Sequence, residues 1–137
     1  MKRYKIGYTT GTFDLFHIGH LNILKKSKEM CDFLIVGVST DEVVQSYKHK
    51  VPVIPFKDRV EIIKSIRYVD QVVPQLSMDK FQAWSELHFD VMFHWKGSSL
   101  YNEYESRLKE VGVEVVYIPH TEGVSSSMLT DEIKYGK

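Results

Sequence analysis

The chain has one cysteine, four prolines and a formal charge of zero, and each scarcity closes a line of explanation. Cys31 alone cannot form an internal disulfide, and its apolar neighbours suit a small half-buried residue in a reducing cytoplasm. Eighteen basic residues balance eighteen acidic ones. No general polyanion-binding surface is expected, and nucleic acid is not an expected partner. No stretch reaches the roughly 18 uninterrupted apolar residues of a membrane span. The opening Met1-Lys2-Arg3-Tyr4-Lys5 leads into a strand pattern rather than a secretory apolar core. A cytoplasmic protein without membrane contact is therefore expected. Repeats, low-complexity tracts and Gly/Ser linkers are also missing, so residues 1–137 are read as one domain. At that length a domain buries roughly 65 to 70 per cent of its unfolded surface.

What is present is an alternation of strand and helix patterns. Residues 5–10 read as a strand, and the continuous apolar run Phe33-Leu34-Ile35-Val36-Gly37-Val38 as one buried on both faces. Between them Leu21, Ile23, Leu24, Ser27 and Met30 approximate a helical stripe, with Lys25, Lys26, Lys28 and Glu29 on the wet side. Pro55 opens a second helix through Ile66, on which Phe56, Val60, Ile63 and Ile66 share a face. A short strand is expected at 71–74, helices at 78–87 and 101–111, the latter stopped by Gly112, and strands at 90–93 and 113–118. A last helix is expected near Ser125. This order predicts an α/β, Rossmann-like doubly wound domain of about five parallel strands with helices on both faces. Ligands on such sheets bind at the carboxyl ends of the strands.

The first strand-to-helix junction carries Gly11-Thr12-Phe13-Asp14-Leu15-Phe16-His17-Ile18-Gly19-His20. Gly11 allows a ligand close to the backbone, and the amides of the helix start can face phosphate oxygens. His17 and His20, at i and i+3, share a side of the turn. Imidazole or imidazolium N–H donors placed there can stabilise charge that grows on an α-phosphate during in-line attack. The bland alternative is a helix cap with a surface or metal site, although scattered histidines and one cysteine supply no obvious further zinc ligands. Near the other end, Thr121-Glu122-Gly123-Val124-Ser125-Ser126-Ser127 is a glycine turn opening a helix. It reads either as an anion cradle or as a plain Ser125 cap. Lys48 and Lys50 lie in a polar loop over the carboxyl edge, where two cations can bridge two phosphates or remain merely solvated. Arg67 and Asp70 are read as a local ion pair bracing a corner.

The decamer resembles the signature of the nucleotidyltransferase superfamily with the His-x-Gly-His motif. Within it the chain is most similar to the cytidylyltransferases, and among those to bacterial glycerol-3-phosphate cytidylyltransferases. The resemblance runs on through Ser39-Thr40-Asp41-Glu42, Lys48-x-Lys50, Arg59, Ile66-Arg67-Tyr68-Val69-Asp70 and residues 121–127. It implies CMP transfer from CTP to a small polyol phosphate, most simply glycerol 3-phosphate, with Mg²⁺ accompanying the CTP. The product would be CDP-glycerol, a precursor of teichoic acid or capsule. It further implies that His17, His20 and Lys50 are catalytic and that Thr10, Gly11, Thr12, Phe13, Asp14 and Gly19 hold the nucleotide. His120, Thr121, Glu122, Gly123, Val124, Ser125, Ser126 and Ser127 would cradle its phosphates, with Lys48, Lys80 and Arg67 towards the acceptor. No protein-held metal is implied, and a homodimer with the Arg67–Asp70 corner near its interface is.

Two stretches depart from the family pattern. His120 stands where relatives carry Arg, replacing a permanent two-pronged donor with a partly charged single contact. Where relatives have Gly-Asp-Asp-Trp after the fourth strand, this chain reads Met92-Phe93-His94-Trp95-Lys96-Gly97. Trp95 is read either as a packing aromatic or as a residue beside the base. Two rival functions therefore stand: an adenylyltransferase of the same superfamily acting on a sugar phosphate or flavin, and a catalytically weak nucleotide-binding module.

Overall fold

In the computed structural model, residues 3–77, 79–95 and 102–119 are described, and of 95 and 102–104 only the backbone. Strands and helices alternate along them: β1 (Tyr4–Gly11), α1 (Ile18–Glu29), β2 (Cys31–Ser39), α2 (Asp41–Lys48), α3 (Phe56–Lys64), β3 (Gln71–Gln75), α4 (Lys80–Leu87), β4 (Val91–Trp95), α5 (Asn102–Glu110) and β5 (Glu114–Ile118). The strands form one parallel sheet in the order β3-β2-β1-β4-β5. The predicted architecture is the observed one. The order reverses direction at β1, so the carboxyl end of β1 is the switch point of the sheet.

Alternation of side chains along the central strands divides the core into two layers. Leu34, Val36 and Val38 of β2 and Phe93 of β4 pack with Ile23 and Leu24 of α1 and Ile63 of α3. Ile35, with Tyr8 and Met92, packs on the other face with Leu108 of α5 and the apolar side of α4. A continuous apolar strand is what two covered faces require. Gly37 has a packing reason: a Cβ there would lie 2.5 Å from the Tyr8 hydroxyl. Without it the Tyr8 ring lies flat against Phe89, centroids 4.6 Å apart. No helix of the described residues is long and apolar enough to cross a membrane.

The structure corrects the sequence reading at four places. The segment after β2 is a helix, α2, and not a loop. Thr40 caps it by accepting the Val43 amide at 3.2 Å, and Asp41 and Glu42 sit in its first turn, where the helix dipole favours negative charge. Lys48 is thus the last residue of α2 rather than a loop residue. Lys28 is not free on the wet side, because its ammonium meets the Asp70 carboxylate at 2.5 Å. Asp70 pairs there and not with Arg67, which lies over the Tyr68 ring with its guanidinium carbon 5.0 Å from the centroid. Strand β4 runs on through Trp95, which pairs with Ile118, so Trp95 is a strand residue and not part of a loop following the strand. The helix expected near Ser125 lies outside the described residues.

Candidate active site

The turn between β1 and α1 passes through two left-handed non-glycine residues, Phe13 at φ 55° and Leu15 at φ 49°. Such residues cost about 1–3 kcal/mol each and persist only where the surroundings hold them. Phe13 is buried, and its ring fills the open side of Gly11, where a Cβ would come within 3.1 Å of ring atoms. Glycine at 11 therefore makes room for Phe13, whereas the sequence suggested room for a ligand.

His17 is the N-cap of α1. Its Nδ1 accepts the Gly19 amide at 3.0 Å, while His20 Nδ1 accepts the His17 amide at 3.2 Å. This is a capping box built from two imidazoles. An accepting nitrogen carries no proton, so each neutral ring keeps its hydrogen on Nε2. The rings stack with centroids 3.9 Å apart, and Phe13 and Phe16 approach His20 at 5.3 and 5.4 Å. Burial, followed by the neighbouring His17 and Lys48, pushes the His20 pKa down to about 3, and burial also lowers that of His17. Near pH 7 the pair presents two neutral N–H donors rather than cations. The helix cap and the donor pair, opposed readings of the sequence, use different nitrogens of the same rings.

Around this turn the structure gathers a wired polar cluster. Asp14 accepts the Val53 amide through Oδ2 and the Ile54 amide through Oδ1, both at 2.8 Å. Arg59 is fully buried and donates to the carbonyls of Ile54 (2.9 Å), Thr12 (2.8 Å) and Ser39 (2.8 Å) and to the Asp41 carboxylate (2.5 Å). The Thr12 hydroxyl lies 3.2 Å from the hydroxyl of Tyr47. Lys48, at the end of α2, is close enough for its charge to disfavour protonation of His20. Lys50 is exposed in the short loop after the left-handed His49 cap. Thr10 and Gly19 are buried at the junction. Tyr47 and the contacts of Asp41 escaped the sequence reading because both depend on α2; the signal was the Thr-Asp-Glu helix start.

Other expected site residues lie elsewhere. Arg67 is exposed in the turn that enters β3 from its amino end, so the chain does not fold it onto its own histidines. Lys80 opens α4 and is buried, and burial lowers its pKa to about 7 against the opposite pull of Asp79. The neighbouring Phe81 packs under Arg107, whose guanidinium carbon lies 4.3 Å from the ring centroid. His94 is buried at the carboxyl end of β4, its ring 6.5 Å from that of Tyr117. The stretch from His120 to Ser127 lies outside the described residues. Among the described residues no three His, Cys, Asp or Glu side chains gather to hold a metal ion.

The cytidylyltransferase-like family model matches residues 8–132, from β1 past β5. The chain belongs to the cytidylyltransferase-like family. A glycerol-3-phosphate cytidylyltransferase of Staphylococcus aureus (strain NCTC 8325 / PS 47) is 40% identical over 129 residues, covering 94% of each chain. An FAD synthase of Pyrococcus horikoshii is 38% identical over 117 residues, covering 80% of this chain and 77% of that one. In fold the chain is similar to a lipopolysaccharide core biosynthesis protein of Thermoplasma volcanium GSS1, with a TM-score of 0.72, 24% identity and coverage of 86% and 97%. This cytidylyltransferase-like chain is thus a nucleotidyltransferase, and its histidine turn stands at the switch point where such a sheet binds ligands.

Proposed function

We propose that this enzyme transfers CMP from CTP to a small polyol phosphate, glycerol 3-phosphate by first choice, giving CDP-glycerol and pyrophosphate as a precursor of wall or capsule polymer. The observation that carries the reading is the imidazole pair: two rings held by backbone amides, each with its Nε2–H left to donate. A phosphate oxygen of the acceptor attacks the α-phosphorus as the bond to the β-phosphate oxygen breaks, and pyrophosphate leaves. Charge grows on the α-phosphoryl oxygens, and the donors of His17 and His20 stabilise it without reorganising. Neutral donors suit the task, because they need no proton uptake near neutral pH. Lys48 and Lys50 offset the repulsion between the two anions, and Thr10, Gly11, Thr12, Phe13 and Gly19 form the nucleotide side. Mg²⁺, when bound with CTP, supplies further screening of the triphosphate. Lys80 and Arg67 are proposed on the acceptor side, Arg67 from across a homodimer contact at the Arg67–Asp70 corner.

The FAD synthase match favours one rival, adenylyl transfer to another phosphorylated acceptor. A panel of CTP, ATP, GTP and UTP, each offered with glycerol 3-phosphate, a sugar phosphate and a flavin phosphate and read by pyrophosphate release and product mass, separates the two. CTP is expected to be preferred, and His17→Ala to lower turnover about 10²- to 10³-fold while CTP binding stays within a few fold. Preference for ATP would overturn the choice of base.

A further inference from the structure

The resemblance assigns Asp14 to the nucleotide, yet its two oxygens accept the backbone amides of Val53 and Ile54. Those residues close the segment that begins at His49 and carries Lys50. At its start the segment is set by the left-handed His49, whose amide bonds back to the Gln45 carbonyl at 3.0 Å. At its end it is held twice. Asp14 takes the two amides, and the buried Arg59 donates to the Ile54 carbonyl while also holding the Thr12 carbonyl. Val51 and Val53 are 63% and 53% exposed, Pro52 between them is buried and Ile54 half-buried, so packing holds the middle of the segment and the hydrogen bonds hold its end. Of the hydrogen bonds at its end, those to the Val53 and Ile54 amides come from the turn that presents the histidines, and the one to the Ile54 carbonyl comes from α3.

We propose that Asp14 is a positioning residue that tethers the Lys50 segment to the histidine turn, and that the Asp14–Arg59 pair sets where Lys50 stands relative to His17 and His20. The physical sense is charge repulsion: a carboxylate facing a triphosphate is unfavourable, whereas one accepting two backbone amides leaves the turn's own donors for the nucleotide. Asp14 is flanked by two left-handed residues, Phe13 and Leu15. This inference rests on the cytidylyl-transfer reading for its effect on rate and not for the tether itself.

Two measurements test it. In the wild-type protein without substrate, hydrogen exchange should show Val53 and Ile54 amides protected at least 10-fold more than Lys50 and Val51, with the difference lost in Asp14→Ala, which removes both acceptors. Equal exchange at all four in the wild type would overturn the tether, whatever the enzyme acts on. With CTP and glycerol 3-phosphate, Asp14→Asn is expected to lower kcat/KM for the acceptor about 10- to 100-fold and to leave CTP affinity within about threefold. Adding Lys50→Ala to that variant should then cost far less than in the wild type. A parallel fall in CTP affinity would make Asp14 a nucleotide ligand, and fully multiplying losses would show that it does not act through Lys50; either overturns the proposal. If no nucleotide is turned over, the functional reading fails while the exchange result still decides the tether.

Discussion

Charged groups bridge elements at both ends of the sheet, but in opposite environments. At the amino end Arg3 meets Asp32 at 2.5 Å with the two side chains 50% and 62% exposed. Tyr4 bonds to Glu114 in the open, and Lys28 meets Asp70 half out of water. At the carboxyl end the Arg59 side chain is fully excluded from solvent and has four named acceptors, three of them carbonyls of different segments. Exposed pairs are screened and can be made and lost without consequence. A buried guanidinium has no such freedom and must be satisfied by groups in fixed places. The lesson is that this fold concentrates costly, geometry-defining charge where a reacting phosphate must be placed, and leaves forgiving charge where nothing reacts.

The sharpest way to break this contrast is Arg59→Met. It leaves three carbonyls and Asp41 without their donor, and the expected loss is about 3–5 kcal/mol of unfolding free energy in a urea titration. A loss under about 1 kcal/mol would mean that the carboxyl end is no more tightly built than the amino end.

The parts of this arrangement that the sequence revealed are those with a periodic or local signature. The two-sided run from Phe33 to Val38 and the stripe of Ile23, Leu24 and Ser27 disclose the sheet and its first helix, because burial leaves a repeat in the residue pattern. The histidine pair is visible because i and i+3 on a helix start are neighbours by geometry alone. What stayed hidden depends on long-range pairing. Asp14 meets residues 53 and 54, and Arg59 meets Thr12, across separations no local pattern records. The helix α2 was legible in Thr40, Asp41 and Glu42, but its polar outer face reads as loop. The burial of Lys80 left no mark in the pattern either, because lysine seldom loses all of its water.

Acidification gives a middle-sized effect at the carboxyl end. The folded pKa of His20 lies near 3, below the ordinary 6.5 of an imidazole, and that of His17 is also lowered. The unfolded chain therefore binds protons that the native state refuses. The stability associated with His20 is fully present above about pH 6.5 and is lost as pH falls towards about 3, at up to about 1.4 kcal/mol per pH unit, and His17 adds to it in the same direction. Protonation at Nδ1 would also break the two caps. Thermal melts between pH 8 and 5 should show the melting temperature falling below pH 6.5, with a shallower fall in His20→Asn. An unchanged slope in that variant would locate the titration elsewhere.

The smallest expected effect lies at the amino end and is the test of its forgiving character. Asp32→Asn removes the carboxylate partner of Arg3, yet Arg3 keeps its bonds to the carbonyls of Glu29 and Cys31, each at 2.9 Å. Both members of the lost pair remain open to water, so neither is left desolvated. The change in stability should be under about 1 kcal/mol in low salt. It should vanish near 1 M salt, where charges are screened beyond about 3 Å. A loss above about 2 kcal/mol that persists in salt would show that the amino end, too, depends on charge geometry. The carboxyl end would then owe its distinction to the hydrogen-bonded route from Asp14 through Ile54 and Arg59 to Asp41, and not to burial of charge as such.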